Sequence, residues 1–466
     1  MPTKRHTMLA MTVCWSVAAC APEPRPPAPI LPPPPAAWSM AGASAAWPAP
    51  DWWHGFGAPE LDALIIQAEA TNDDLAAAKA RLIQADAQAR IAGAALLPQI
   101  DADAGGADTK RVLSNGVSRR YASTGVQLEA AYQLDLWGRG RAVVRAARAT
   151  DAAAGFDLAS ARITVIASLA RAYLALRALD GQIADAQGVA TAAQQVLGAM
   201  DSRVRAGTLA PQAALQQREV AQQAQAALPP LMAARAHLVI AIAELAGQPA
   251  SGFVVKGGAI DALALPPVIA GIPAHLLVHR PDVAEQEQLL AAAGANIDVA
   301  RRSLLPAIDL TASGGLASVA LSSMASGPTP VFNIGADILA PIFDGGRLRG
   351  QVRLADGRYS ELAADYRKSV LVAMGDVEDA LAAEHYATLA DGQQGEVSAS
   401  TWRDLCQTQA AVAAGTLDIT ALWRAQAQMA QARALKAQTA LARAQGLVAL
   451  YVALGGGWST VSRAAT

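Results

Sequence analysis

Cysteine and aromatic side chains are scarce: 466 residues hold three cysteines, and Phe, Trp and Tyr together make up 5%. A core built mainly from large rings is excluded. The apolar share of 53% rests largely on alanine, as in the run DAAAGFDLASARITVIASLARAYLALRALD. Alanine favours helix intrinsically and lets helices pack closely. Charge is also sparse, at 16%, and nearly balanced, with a net −2. That excludes a basic nucleic-acid-binding face and leaves membrane contact open. No run of about 20 uninterrupted apolar residues occurs, which argues against any helix as a membrane span. Catalytic signatures are missing: no P-loop, no dinucleotide fingerprint after a strand, no G-x-S-x-G elbow. Gly455-Gly456-Gly457 lacks a strand-to-helix frame. His275 and His279 stand four apart, but no Glu completes an H-E-x-x-H pattern. Methionines are not clustered as soft-metal ligands. No enzyme, no cofactor and no metal site is expected.

Lys4 and Arg5 precede a short apolar stretch, Thr7 to Ala19, in the arrangement of a signal peptide. It ends in Val17-Ala18-Ala19-Cys20, which resembles a bacterial lipoprotein cleavage site with valine in place of the usual leucine. Cys20 is then the expected lipidation site, and Ala21 implies, by the same resemblance, sorting to the outer membrane. The plainer reading is an ordinary cysteine near an ordinary cleavage site. With Cys14 leaving with the signal and Cys20 acylated, Cys406 has no intrachain partner. Such an exported chain has no disulfide and depends on packing and assembly. After Cys20 the segment APEPRPPAPILPPPPAAW favours extended polyproline II, a stalk of ~3.1 Å per residue between lipid and folded body.

The remainder is duplicated. Asp74-Leu75-Ala76 matches Asp282-Val283-Ala284, Leu96-Leu97-Pro98 matches Leu304-Leu305-Pro306, and Ala206-Gly207-Thr208-Leu209 matches Ala414-Gly415-Thr416-Leu417, each at a shift of 208. Leu136-Trp137-Gly138-Arg139 corresponds more loosely to Ile342-Phe343-Asp344-Gly345, at about 206. Each half predicts a helix ending before LLP, two alternating strands, a very long helix, a turn at AGTL and another helix.

Period-two alternation marks the strands. Val126, Leu128, Ala130, Tyr132, Leu134 and Leu136 share one face; Gln127, Glu129, Gln133 and Asp135 share the other. Ile100, Ala102 and Ala104 oppose Asp101 and Asp103; Ile308, Leu310 and Ala312 oppose Asp309; Phe332, Ile334, Ala336 and Ile338 oppose Asn333 and Asp337. An apolar face to lipid and a polar face to a lumen fits a membrane barrel. On that reading Asp101, Asp103, Glu129, Asp135, Asp309 and Asp337 line the lumen, and Tyr121, Trp137 and Phe343 sit where an aromatic girdle belongs. A soluble sheet lying on a core gives the same alternation. Four strands cannot close a membrane barrel, and open edges are not tolerated in lipid. Several chains must therefore share one barrel, and three would give twelve strands. Gly138 to Val204 is 67 residues without proline, a helix of ~100 Å if continuous. Leu158, Val165, Ala172 and Leu179 recur every seven residues, as do Leu169, Leu176 and Ile183, the seam of a coiled coil.

These residues resemble the TolC-like outer-membrane efflux factors, in the lipoprotein (NodT-like) branch that works with resistance-nodulation-division pumps. The resemblance runs from about Trp52 to Trp458 and rests on DWWHGFGAPELDALIIQA, YQLDLWGRGR, HLLVHRPDVAEQEQLLAAAGANIDVARRSLLPAIDLTASGG, PIFDGGRLRGQV and the two AGTL turns. It implies a homotrimer with a twelve-stranded β-barrel continuing into an α-helical barrel, docked by a periplasmic adaptor (membrane fusion) protein and driven by an inner-membrane pump. It places the loop of Lys110, Arg111, Arg119 and Arg120 around Asn115-Gly116 outside the cell. It makes Arg203, Gly207, Thr208, Leu209, Gly415, Thr416 and Leu417 the periplasmic tips that meet the adaptor. Relatives usually carry acidic residues after the second tip, in an xDVLDAQ-like stretch that narrows the closed pore. Here the stretch is DITALWRAQAQ, with Ala421 and Arg424 in those positions. Asp418 and Arg424 are the expected gate instead.

The expected fold is thus an α+β membrane protein: a tandem repeat of long coiled-coil helices and β-hairpins. The expected divisions are a signal peptide at 1–19 and a lipid-anchored proline-rich linker at 20–50. A first repeat at 51–247 has strands at about 99–113 and 119–136 and a tip near 207. After an inter-repeat segment at 248–272, a second repeat at 273–458 has strands at about 306–318 and 330–343 and a tip near 415, before a tail at 459–466. The expected function is a passive duct of a tripartite efflux pump for drugs or small toxic compounds, anchored in the outer membrane and reaching into the periplasm. The same fold in type I protein secretion is the alternative; a lipid-anchored coiled-coil structural protein is the alternative of another class.

Overall fold

The computed structural model describes residues 26–40, 49–266, 279–456 and 458. The signal peptide, Cys20, His275, part of the inter-repeat segment and the tail lie outside the described residues. A 3-10 turn at Trp52–Phe56 leads into α1 (Pro59–Thr71) and α2 (Asp73–Ala94), then β1 (Gln99–Val112) and β2 (Ser118–Gln133). There follow α3 (Arg139–Arg205), α4 (Pro211–Ala226) and α5 (Leu228–Leu245). The second half holds α6 (Pro281–Arg302), β3 (Ala307–Ser318), β4 (Thr329–Leu339), α7 (Arg347–Ala413) and α8 (Ile419–Ala453).

The duplication is visible in the boundaries: α2 and α6, β1 and β3, and α3 and α7 begin 208 residues apart. Both long helices run unbroken for 67 residues, about 100 Å each. Gly138 and Gly346 each precede one of them, so the strand-to-helix join also keeps the 208 shift and not the looser 206. β2 and β4 stop at Gln133 and Leu339, short of about 136 and 343, because the chain there turns to cap the next helix.

The sheet order is β1-β2-β3-β4, all neighbours antiparallel. At the first hairpin, Gly116 N–H donates to Leu113 O (2.9 Å) and Leu113 N–H to Val117 O (2.9 Å). Only Gly116 of the Asn115-Gly116 pair is left-handed, the geometry of a turn closed by a bulge.

The compact units do not follow the repeats. One draws on Leu82–Ala154 and Gln286–Arg367 and contains the sheet. The other draws on Leu31–Arg81, Gly155–Glu285 and the chain from Lys368 onward. Its core stacks Trp52 on Tyr451 (4.6 Å between centroids, 16° between planes) beside Phe56, Leu61, Leu169, Leu176 and Ile242. Of the seven heptad positions Val165, Leu169 and Leu176 are buried and Leu158, Ala172, Leu179 and Ile183 are half-buried, while Ile166, Ala170, Tyr173, Leu174 and Ala178 outside the seam are buried too. The helix is buried over a stripe wider than a two-position seam. The proline-rich stretch is tethered at its far end: Trp38 is buried, and Ser39 N–H donates to Glu378 Oε1 (3.1 Å).

Against the expectation from uninterrupted runs, α3 and the stretch Pro211–Leu245 are apolar enough by length and composition to cross a membrane. Alanine supplies much of that character. Arg235 interrupts the second stretch, where it pairs with Asp180 (2.6 Å).

The inter-repeat chain is pinned by carboxylates. Glu60 accepts from Lys256 N–H (2.7 Å) and Gly257 N–H (3.1 Å), and Asp180 accepts from Gly258 N–H (2.9 Å). Gly257 has φ +72°, and a Cβ there would run into the Asp180 carboxylate. Gly257→Ala is therefore expected to cost roughly 1–3 kcal/mol and to lower the unfolding midpoint of detergent-solubilised protein. An unchanged midpoint would contradict this packing.

Candidate functional site

Cross-strand partners share a face, and alternate residues switch faces. The register puts Ile100, Ala130, Ala312 and Ile334 in one row, and Asp101, Glu129, Ser313 and Asn333 in a row of the opposite face. Asp309 faces Asp337 directly and accepts from Gln133 Nε2 (2.9 Å). Asp101, Asp103, Glu129, Asp309 and Asp337 thus occupy one face, near the helix-side end of the strands. Among the described residues the sheet does not lie on a core: none of its strand residues is buried. All 14 residues of β1 are exposed, and Ile100, Leu128, Phe332, Ile334 and Ile338 are each more than half exposed. Tyr121 pairs with Thr109 on the polar face, so it is no part of a lipid-facing girdle. Phe332, 86% exposed, is the large ring on the apolar face, in the row of Ala102, Leu128 and Gly314.

Asp135 departs from its expected place in the lumen. It lies beyond β2 and accepts from the N–H groups of Gly140 and Arg141 (both 2.9 Å) and from Arg141 Nε (3.2 Å). Burial pushes its carboxyl up, but those donors outweigh burial and hold the pKa below the usual value. The residue caps α3 and does not line a strand. Asp344 does the same for α7, accepting from Gly346 N–H (3.0 Å) and Leu348 N–H (2.8 Å). Around the first join, Trp137 Nε1 donates to Pro306 O (2.7 Å) and Arg139 Nε to Ser303 Oγ (3.1 Å). A cavity of about 340 Å³ lies there, lined by Leu96, Asp135, Trp137, Arg302 and Arg347 among others.

Both tips are the same turn. Thr208 N–H reaches Arg203 O (2.9 Å) and Gly207 N–H reaches Val204 O (3.0 Å); Thr416 N–H reaches Ala411 O (3.0 Å) and Gly415 N–H reaches Val412 O (3.0 Å). With φ of 70° at Gly207 and 75° at Gly415, each closes its helix by the left-handed glycine motif that satisfies two orphan carbonyls. The Thr208 and Thr416 hydroxyls bond the same Arg203 and Ala411 carbonyls (3.1 and 2.9 Å). Leu209 packs with Ile419 and Trp423 against buried Val196, Met200 and Ala214, while Leu417 is exposed.

The tips differ in how the next helix starts. Pro211 opens α4; Asp418 caps α8 by accepting from Thr420 N–H (2.9 Å). The Arg203 guanidinium stands 3.6 Å from the Asp418 carboxylate. Asp418 therefore joins the two tips within one chain. Arg424, its expected partner in a gate, is exposed and no part of that pair.

The sequence profile of the family described as outer membrane efflux protein matches residues 64–248 and again residues 272–456. The chain belongs to the outer membrane efflux protein family. It is 35% identical to the pyoverdine export outer membrane protein OpmQ of Pseudomonas aeruginosa, over 97% of this chain and 96% of that protein. It is 30% identical to the toluene efflux pump outer membrane protein TtgF of Pseudomonas putida, over 98% of each. The open-state MtrE outer membrane channel of Neisseria gonorrhoeae matches it with a TM-score of 0.81 at 26% identity, over 92% of this chain and 98% of that one. This outer membrane efflux protein is thus a channel subunit of the outer membrane, α+β in class, mostly helical with one small sheet.

Reasoning from sequence missed three contributors in this efflux protein: Asp344 as a helix cap, Arg203 as the partner of Asp418, and Trp423 as the tip's packing centre. The aspartate before Gly345-Gly346 and a tryptophan beside the second tip were the available signals; the Arg203 contact crosses elements and has none. The Thr420 N–H, and then Arg203, hold the Asp418 carboxyl below its usual range. Its folded-state pKa lies below the unfolded one, so its contribution is present above ~3.9 and is lost as pH falls through the depressed value. Asp418→Ala removes the cap, at roughly 1 kcal/mol, and should speed amide exchange at the start of α8. Asp418→Asn keeps a cap without the charge and should leave that exchange near wild type. Equal exchange in Asp418→Ala and wild type would contradict the capping role.

Proposed function

We propose that three copies of this chain close one twelve-stranded barrel in the outer membrane and continue as a helical tunnel into the periplasm, a passive duct for small solutes. The observation that carries the reading is the sheet: four strands, none of whose residues is buried, an exposed apolar face, and β1 and β4 at the edges. Lipid excludes unpaired strand edges, and the smallest membrane barrels have about eight strands. Pairing β1 of one copy with β4 of the next removes every edge and turns the apolar face outward.

On this reading the two repeats, 51–247 and 273–458, supply equivalent hairpins and equivalent tips. The tips, with Arg203, Thr208, Thr416 and Leu417 at their surface, receive a periplasmic adaptor. An inner-membrane pump supplies the energy. Adaptor binding shifts a closed tip toward an open one to the extent that it prefers the open one. The gate is built on the Arg203–Asp418 pair together with Arg424, which follows Asp418 in the second repeat. Acylation at Cys20 adds an anchor. A relative named for pyoverdine export at 35% identity favours a small solute over a secreted protein.

Deletion of the gene, followed by a panel of drugs, solvents and siderophores, tests the duct. Raised susceptibility to a compound, or its retention in the cell, reversed by the intact gene, is the expected result. Unchanged susceptibility with nothing retained would contradict it.

A further inference from the structure

We propose that Arg111 and Arg119 form a binding site for polyvalent oxyanions at the outer mouth of the channel, an inference that rests on the shared-barrel reading above. The two arginines are direct cross-strand partners, one rung from the end of the first hairpin. Counting alternate residues along β1 and β2 puts them on the same face as Asp101, Asp103 and Glu129. That face is therefore divided: carboxylates at the helix-side end, guanidiniums at the hairpin end.

Like charges directly opposite each other destabilise a strand pair, and the neighbouring rung shows how the chain relieves them. Lys110 faces Arg120 on the opposite, apolar side, and there Asp108 salt-bridges Arg120. The Arg111–Arg119 rung has no carboxylate beside it: the next rung toward the helices is Thr109 and Tyr121, and beyond it lie Leu113 and Val117. The second hairpin loop, Ser318 to Thr329, contains no acidic residue. Both arginines are exposed. Two guanidiniums about 5 Å apart at Cβ, with hydroxyls from Thr109 and Tyr121 on the same face, suit an oxyanion that takes charge-assisted bonds from both.

The face identifies the source of the anion. Ile100, Leu128 and Val126 stand on the other face, so a lipid phosphate meets Lys110 and not Arg111 or Arg119. The ligand is a soluble phosphate- or carboxylate-bearing solute in the lumen. Three copies place such a rung from each chain around one mouth, which adds multivalency for a polyanion.

The test uses the full-length protein in planar bilayers, with inositol hexakisphosphate added to each compartment in turn. Wild-type channels should be blocked from one side, and the block should require about tenfold more probe or greater in Arg111→Gln/Arg119→Gln, the loss expected for charge-assisted contacts. Lys110→Gln should leave the block unchanged, in bilayers with or without anionic lipid. Equal block in wild type and the double variant overturns the site, as does a block that instead follows Lys110 and lipid phosphate. Conductance without the probe separates the two claims. Channels that conduct yet bind no anion remove only this site; a protein that never conducts removes the barrel reading and the site with it.

Discussion

Among the described residues, the outer backbone edges of β1 and β4 have no partner strand, and the sheet between them buries none of its own residues. Those two facts constrain everything else. An edge costs several kcal/mol for each backbone group left unpaired in lipid, and apolar side chains such as Phe332 and Ile334 gain nothing by standing in water. A membrane and further copies of the chain remove both penalties together. In the proposed barrel the polar row of Asp101 and Glu129 would face water in the lumen, where like charges are screened and solvated.

Duplication explains how so long a chain keeps its parts in step. The 67-residue helices begin and end at equivalent positions, and the two tips repeat the same pair of backbone bonds. The repeats then diverge where function is expected to differ. Pro211 has no N–H for a cap to accept and starts α4 without charge. Asp418 starts α8 with a carboxylate that also meets Arg203 of the other tip. The hairpin loops diverge as well: the first carries four cations around its turn, the second none.

What could be read in advance was whatever local sequence controls. Strand alternation located the hairpins, the missing prolines located α3 and α7, and Gly207 and Gly415 located turns that need a left-handed residue. The membrane and soluble readings of the sheet looked alike, because alternation records a difference between faces and not what covers them. Asp135 and Tyr121 were misplaced because alternation was carried too far at one end of β2 and because ring chemistry was weighed above register at the other. The width of the buried stripe on α3 depends on helices distant in sequence and was hidden from heptad counting. The Arg203–Asp418 pair was out of reach for the same reason.

The central claim is that three chains are needed to make one wall. Native mass spectrometry of the full-length protein extracted in mild detergent tests it most directly. The account predicts a dominant species with the mass of three chains. A stable monomer, or an assembly of two or four chains, would contradict it.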